Sequence, residues 1–229
     1  MSRMFKSITK TWNVFVGCEF NCTYCNARKA ALTRFKHLDR YKDGFKPHLV
    51  ESELSRTFKP GEFVFVAYMG DISFAHQTEA YCILDRIRQF PDTRFLLCTK
   101  DPGCFHKWGL NLPDNVVIAT TLETNREVIP SKAPIPIRRY AALKDYIHPH
   151  KMVSIEPVMD FDLFQLLDCM EILKPEIIEV GADNYHNDLP EPSPEKLESL
   201  LYHLRHICPN VIEKDGLERL RERSNNAKA

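Results

Sequence analysis

The feature that most constrains the fold is a recurring texture. Short β-branched and aromatic runs each end in a polar tip and give way to an amphipathic stretch. The runs are TWNVFVG (Thr11 to Gly17), FVFVAYMG (Phe63 to Gly70), RFLLCTK (Arg94 to Lys100), VVIATTL (Val116 to Leu122), KMVSIEP (Lys151 to Pro157) and EIIEVGAD (Glu176 to Asp183), with a weaker NVIEK from Asn210. Runs that are apolar on both parities suit strands buried on both faces. Starts spaced by roughly 30 residues match one βα unit. Between the runs, Ala80, Ile83, Leu84 and Ile87 form a helical stripe, and FDLFQLLDCMEILK and PEKLESLLYHLRHIC repeat the pattern. Ser193 is placed to cap the last of these helices, with Pro194 at its first position. This alternation predicts an α/β fold, a partial (βα)6-type parallel barrel with helices outside. No Gly/Ser linker or low-complexity segment divides the chain. Residues 1–229 therefore read as a single domain, with 220–229 as a polar, frayed tail.

Sites in such barrels lie at the C-terminal ends of the strands. Those ends are where this sequence departs from apolar filler: Cys18, Met69-Gly70-Asp71, Thr99-Lys100, Thr120-Thr121, Ser154 with Glu156, and Gly181 with Asp183. One polar tip per strand predicts a single site on one face. Asp71 also suits the N-cap of a following helix, and the two roles are compatible. Glu156, between Ile155 and Pro157 at a strand end, reads as functional rather than decorative.

The first tip is GCEFNCTYC, in which Cys18, Cys22 and Cys25 are spaced C-x3-C-x2-C. The N-terminal MSRMFKSITKTW has no apolar signal region and no run reaches transmembrane length, so a cytoplasmic protein without membrane contact is expected. In a reducing compartment clustered cysteines point to metal or redox chemistry rather than disulfides. Thiolates are soft ligands for iron–sulfur clusters and zinc. Three of them can hold three irons of a 4Fe-4S cube and leave the fourth iron open. The rival is a structural zinc site with His37 as a fourth ligand, although zinc sites favour paired C-x2-C spacing. In that case the chain is a non-enzymatic, metal-stabilised (Fe-S or Zn) binding protein. Cys82, Cys98, Cys104, Cys169 and Cys208 read as core packing, with Cys98 and Cys104 flanking Lys100 near the expected active face.

With Tyr24 just before the third cysteine and the motif placed after the first strand, the chain resembles the radical SAM superfamily. More narrowly, TWNVFVGC, FVAYMGDIS, FLLCTKDP, IATTLET and SIEPVM are similar to a small phage- and prokaryote-associated branch distantly related to the spore photoproduct lyases. The resemblance implies a 4Fe-4S cluster on Cys18, Cys22 and Cys25 with S-adenosylmethionine as the cosubstrate that fills the open iron. It implies reductive cleavage to a 5′-deoxyadenosyl radical that abstracts hydrogen from an unidentified substrate, with electrons from a donor of flavodoxin or ferredoxin type. Carried over residue by residue, Tyr24 belongs to the cofactor site, and Met69, Gly70 and Asp71 stand where the methionine amino group binds. This tip reads MGD rather than the common Gly-Gly-Glu form. Lys100 is placed to pair with a carboxylate, Thr121, Glu123 and Ser154 with ribose hydroxyls, and Glu156 with ribose or substrate. Gly181 leaves room for adenine, having no Cβ. Lys100 and Glu156 are the candidates for catalysis.

Lysine and arginine together number 31, as do aspartate and glutamate, so no global field recruits a polyanion. Locally the stretch from Arg28 to Lys46 is basic, and Phe35, Tyr41 and Phe45 interleave with its cations. A second basic stretch runs from Arg138 to Lys151. Such patterns grip phosphates and stack bases. Nucleic-acid or nucleotide modification or repair by the same chemistry is accordingly the alternative reading of the substrate.

Overall fold

The structure is a computed structural model that describes residues 5–127 and 131–226. Its strands are β1 (Lys10–Trp12), β2 (Phe15–Val16), β3 (His48–Leu49), β4 (Phe63–Val66), β5 (Arg94–Thr99), β6 (Val116–Thr121), β7 (Lys151–Ile155), β8 (Ile177–Val180) and β9 (Val211–Glu213). The helices are α1 (Asn26–Leu32), α2 (Gln77–Arg88), α3 (Gly103–Trp108), α4 (Pro136–Asp145), α5 (Leu163–Leu173), α6 (Pro194–Ile207) and α7 (Leu217–Asn226). Seven strands form one parallel sheet in the order β1-β4-β5-β6-β7-β8-β9. Neighbours in that sheet follow one another in the chain, apart from the short antiparallel pair of β2 and β3. The sheet curls into a half-barrel with helices around it, as the alternation of runs predicts.

The two faces of the sheet are packed differently. Val64, Val66, Leu97, Ile118, Val153, Ile178 and Val180 meet the helices in the main core. Within α6, Leu197, Leu200, Leu201 and Leu204 are wholly buried in that core, each contributing roughly 1.5–3 kcal/mol. The Ser193 hydroxyl caps α6 by accepting from the Lys196 N–H at 3.3 Å, as its sequence position predicts. The inner face holds Phe63, Phe65, Leu96, Cys98, Val117, Ala119 and Met152 and is closed by Phe5 and Ile8 of the N-terminal segment. That segment is pinned by the buried carboxylate of Glu179 on β8. It accepts from Lys6 N–H at 2.9 Å, Ser7 N–H at 2.8 Å and the Ser7 hydroxyl at 2.5 Å.

Three expectations change. The run from Thr11 to Gly17 is two short strands, because the Asn13 side chain leaves the ladder to accept the Met69 N–H at 3.0 Å. The second run stops at Val66, where Ala67 takes a left-handed φ of 60° and its N–H bonds to Trp12 O at 2.8 Å. The polar end is helical through Asn226 rather than frayed from 220, since Leu217 and Leu220 are buried and Arg221 pairs with Glu198 and Glu213. Residues 227–229 lie outside the described residues. Among the cysteines read as core, Cys82 is exposed on α2, two positions from Ala80 and so off the helix's buried stripe. No described helix is long and apolar enough to cross a membrane.

Candidate active site

The cysteine loop is set against the sheet by two glycines. Gly17 and Gly70 form an isolated parallel bridge, with Gly17 N–H on Met69 O at 3.0 Å and Asp71 N–H on Gly17 O at 3.1 Å. From there Cys18, Cys22 and Cys25 line one wall of a cavity of about 290 Å³. Backbone N–H groups point at two of the sulfurs: Phe20 at Cys18 Sγ (3.4 Å) and Arg28 at Cys25 Sγ (3.3 Å), Cys25 being the N-cap of α1. Cys22 Sγ lies 3.1 Å from the Ser131 hydroxyl. Burial raises the thiols of Cys18 and Cys25, the former with Asp71 adding to it, so both are protonated until something replaces the proton.

Among the described residues no three His, Cys, Asp or Glu side chains converge on a single-ion site. All three thiols line the same cavity. All-thiol donors facing a cavity, with N–H groups directed at two of the sulfurs, fit an iron–sulfur cluster. His37, the fourth ligand of the zinc alternative, is exposed and does not line the cavity.

The remaining strand tips converge on the same cavity. Gly70, Asp71, Thr99, Lys100, Thr121 and Glu156 line it together with Tyr24. Asp71 is saturated within the protein. Its Oδ1 accepts from Ser73 N–H (3.0 Å), the Ser73 hydroxyl (2.8 Å) and the Thr99 hydroxyl (2.5 Å), and its Oδ2 from Lys100 N–H (3.0 Å). It therefore caps the short helical turn from Ile72 to Phe74, as its position after a strand predicted. Glu123 is fully buried and takes the ammonium of Lys100, the Tyr24 hydroxyl at 2.5 Å and Arg139 Nη1 at 2.8 Å. Burial works to raise its pKa. The cations of Lys100 and Arg139, with hydrogen bonds from Lys100 and Tyr24, outweigh burial and hold the carboxyl below its ordinary value. Tyr24 is in turn pushed well up by burial and by Glu123, which keeps it a neutral donor.

At the far end of the cavity Glu156 pairs with Lys214, which follows β9 and whose ammonium also sits 5.1 Å over the Phe5 ring. Burial raises the Glu156 carboxyl against the pull of Lys214. The Gly181 backbone lies directly against it, since a Cβ there would stand 2.7 Å from Glu156 Oε1. Tyr185 and Asn26 bridge the two sides through a 2.9 Å hydrogen bond. Met69 is buried beneath the cysteine loop, Ser154 is wholly buried with an unpartnered hydroxyl, Glu123 stands behind Lys100, and the space expected for adenine at Gly181 is filled by the Glu156 carboxyl, so these four do not line the cavity. Cys98 does, its thiol pushed up to about 12 first by burial and then by Asp71.

Sequence reasoning missed Lys214, Arg139, Lys6, Tyr68 and Tyr185. Lys214 ends the run seen only as a weak strand, and a lysine following βαβ-type tips was the available signal. Arg139 occupies a core position on a helix and was visible only as part of a basic stretch.

A family model described as a protein of unknown function, DUF5131, matches residues 4–173. The chain belongs to the DUF5131 family. No curated protein matches this DUF5131 chain. Two solved structures of spore photoproduct lyase variants share its fold. One, with a dinucleoside spore photoproduct, has a TM-score of 0.58; the other has 0.59. Each is 10% identical and covers 89% of this chain and 75% of its own. The resemblance to radical SAM enzymes thus holds at the level of fold.

Proposed function

We propose that the protein is a radical SAM enzyme, with Cys18, Cys22 and Cys25 as ligands of a 4Fe-4S cluster and S-adenosylmethionine as cosubstrate. The observation that carries this reading is the set of three thiols on one wall of a cavity into which the tips of the parallel strands project. When bound, the cluster and cosubstrate supply one-electron reduction and a hydrogen-abstracting radical. The chain's own residues do the rest. Lys100 and Thr121 offer polar contacts in the cavity that the thiols line. Glu156 and Lys214 present a paired acid and cation at the opposite end, where substrate polar groups would be oriented. Phe20, Phe45, Phe65 and Tyr68 supply apolar walls that exclude water from the reacting centre.

The test is anaerobic reconstitution with iron and sulfide. The expected result is a brown protein with about four irons per chain, which falls to background in a Cys18→Ala, Cys22→Ala, Cys25→Ala variant. Dithionite and S-adenosylmethionine should then yield 5′-deoxyadenosine. A reconstituted protein that holds only zinc, with no affinity for S-adenosylmethionine, refutes the reading in favour of a metal-stabilised binding protein.

Modification of a nucleic acid or nucleotide is the second reading, favoured by one rim of the cavity. Asn26 and Phe45 line the cavity, and the exposed cations Lys29, Arg34, Lys36, Lys42 and Lys46 lie on the segment between and beside them. Arg40 is committed to Glu53 and is left out of that set. The dinucleoside bound by one spore photoproduct lyase structure agrees with it. Binding of a labelled oligonucleotide should weaken with salt and with charge reversal at Lys29, Arg34, Lys36 and Lys42. Binding indifferent to both changes refutes this second reading.

A further inference from the structure

Helix α4 turns Pro136, Arg139 and Leu143 to the interior. The middle of this stripe, where Leu or Met would ordinarily stand, is an arginine with 0% exposure. A buried ion pair adds little net stability over well-packed apolar residues, because desolvating both charges offsets their attraction. Core packing therefore does not account for Arg139, and its contacts suggest another role. Nε donates to Pro134 O at 2.5 Å, and Nη1 to Thr121 O at 3.0 Å and Glu123 Oε2 at 2.8 Å. Nη2 has no hydrogen-bond partner. With one oxygen of Glu123 held by Arg139, the other is aimed at Tyr24 and Lys100. Tyr24 lies between Cys22 and Cys25, so its hydroxyl is a direct tie from the cysteine loop to the tip of β6. Lys100 reinforces the tie, 3.2 Å from the Tyr24 oxygen and 5.3 Å above its ring.

We propose that Arg139 is a positioning residue for the cysteine loop. By fixing the Glu123 carboxylate it anchors Tyr24 and thereby sets the span between Cys22 and Cys25. Removing the guanidinium leaves Glu123 free to swing toward Lys100, and the loop loses the anchor of the Tyr24 hydroxyl beside the tip of β6. The role concerns loop geometry in the chain itself, so it is read on metal-free protein and stands or falls separately from the cofactor assignment.

The experiment measures alkylation rates of individual cysteines in the full-length metal-free protein by mass spectrometry. In Arg139→Met, Cys22 and Cys25 should react about tenfold faster, the factor expected when loss of one charged hydrogen bond loosens a local structure. Cys104 and Cys208, buried in the main core, serve as internal references and should keep wild-type rates. Tyr24→Phe, which keeps the ring and removes the hydroxyl, should give the same selective rise and covers the case in which Arg139→Met does not fold. In a Glu123→Gln background the Arg139 substitution should add nothing. A Tyr24→Phe protein with wild-type rates at Cys22 and Cys25 overturns the proposal. So does a rise in which Cys104 and Cys208 share equally, which marks a general loss of stability.

Discussion

Gly17 and Gly70 are in backbone contact, and neither has room for a side chain: Gly17 itself blocks Gly70, and Lys46 blocks Gly17. A Cβ on Gly70 would lie 2.8 Å from Gly17 O, and one on Gly17 would lie 2.1 Å from Lys46 O, at a φ of +86°. This double contact places the cysteine loop at the edge of the cavity. Gly17→Ala should therefore cost the left-handed strain of about 1–3 kcal/mol plus the clash. Gly61 gives the comparison, with a φ of +78° and nothing within 4 Å of the position a Cβ would take. Thermal or denaturant unfolding should show Gly61→Ala losing only the strain. Equal losses at the two glycines would sink the claim of contact.

The Glu156–Lys214 pair should behave as a buried couple. Lys214 is 5% exposed at its side chain and Glu156 18%. Lys214→Met leaves a carboxylate unpaired in the cavity and should destabilise by about 3–5 kcal/mol. The Glu156→Gln, Lys214→Met double variant should lose less than the sum of the two singles. Strict additivity in chemical denaturation would mean that the two groups do not interact.

Glu123 makes a pH-dependent contribution of definite sign. Its folded-state carboxyl sits below the ordinary value of 4.5, so the folded protein favours the charged form. The stability it supplies is full above pH 4.5 and is lost as pH falls through the folded value. The stability gap between wild type and Glu123→Gln should be constant from pH 7 to about 4.5, narrow below that, and be gone once pH is below the folded value. A gap that widens on acidification would reverse the assignment.

Glu179 fastens the N-terminal segment to the inner face through three hydrogen bonds. Glu179→Ala should release that segment and open the floor of the sheet under Phe5 and Ile8. Hydrogen exchange at residues 5–8 is expected to rise by orders of magnitude, with a stability loss of about 1–3 kcal/mol from the unsatisfied donors. Unchanged protection there would show that the apolar contacts of Phe5 and Ile8 suffice.

The sequence by itself determined the repeat of strand and helix, the parallel sheet and the location of one polar site, because periodicity and β-branched runs are local properties. It also located the thiol loop and the Ser193 and Asp71 caps, whose chemistry acts within a few residues. It did not determine which tip residues face the cavity. Glu123 reads like Lys100 or Thr121 in the chain, yet it stands behind them, turned to an arginine sixteen positions away on the core stripe of α4. Lys214 meets Glu156 across 58 positions, and Glu179 meets Ser7 across 172. Only tertiary structure decided these pairings. A buried charge takes whichever partner the curl of the sheet brings within a few ångströms, and no local pattern encodes that distance.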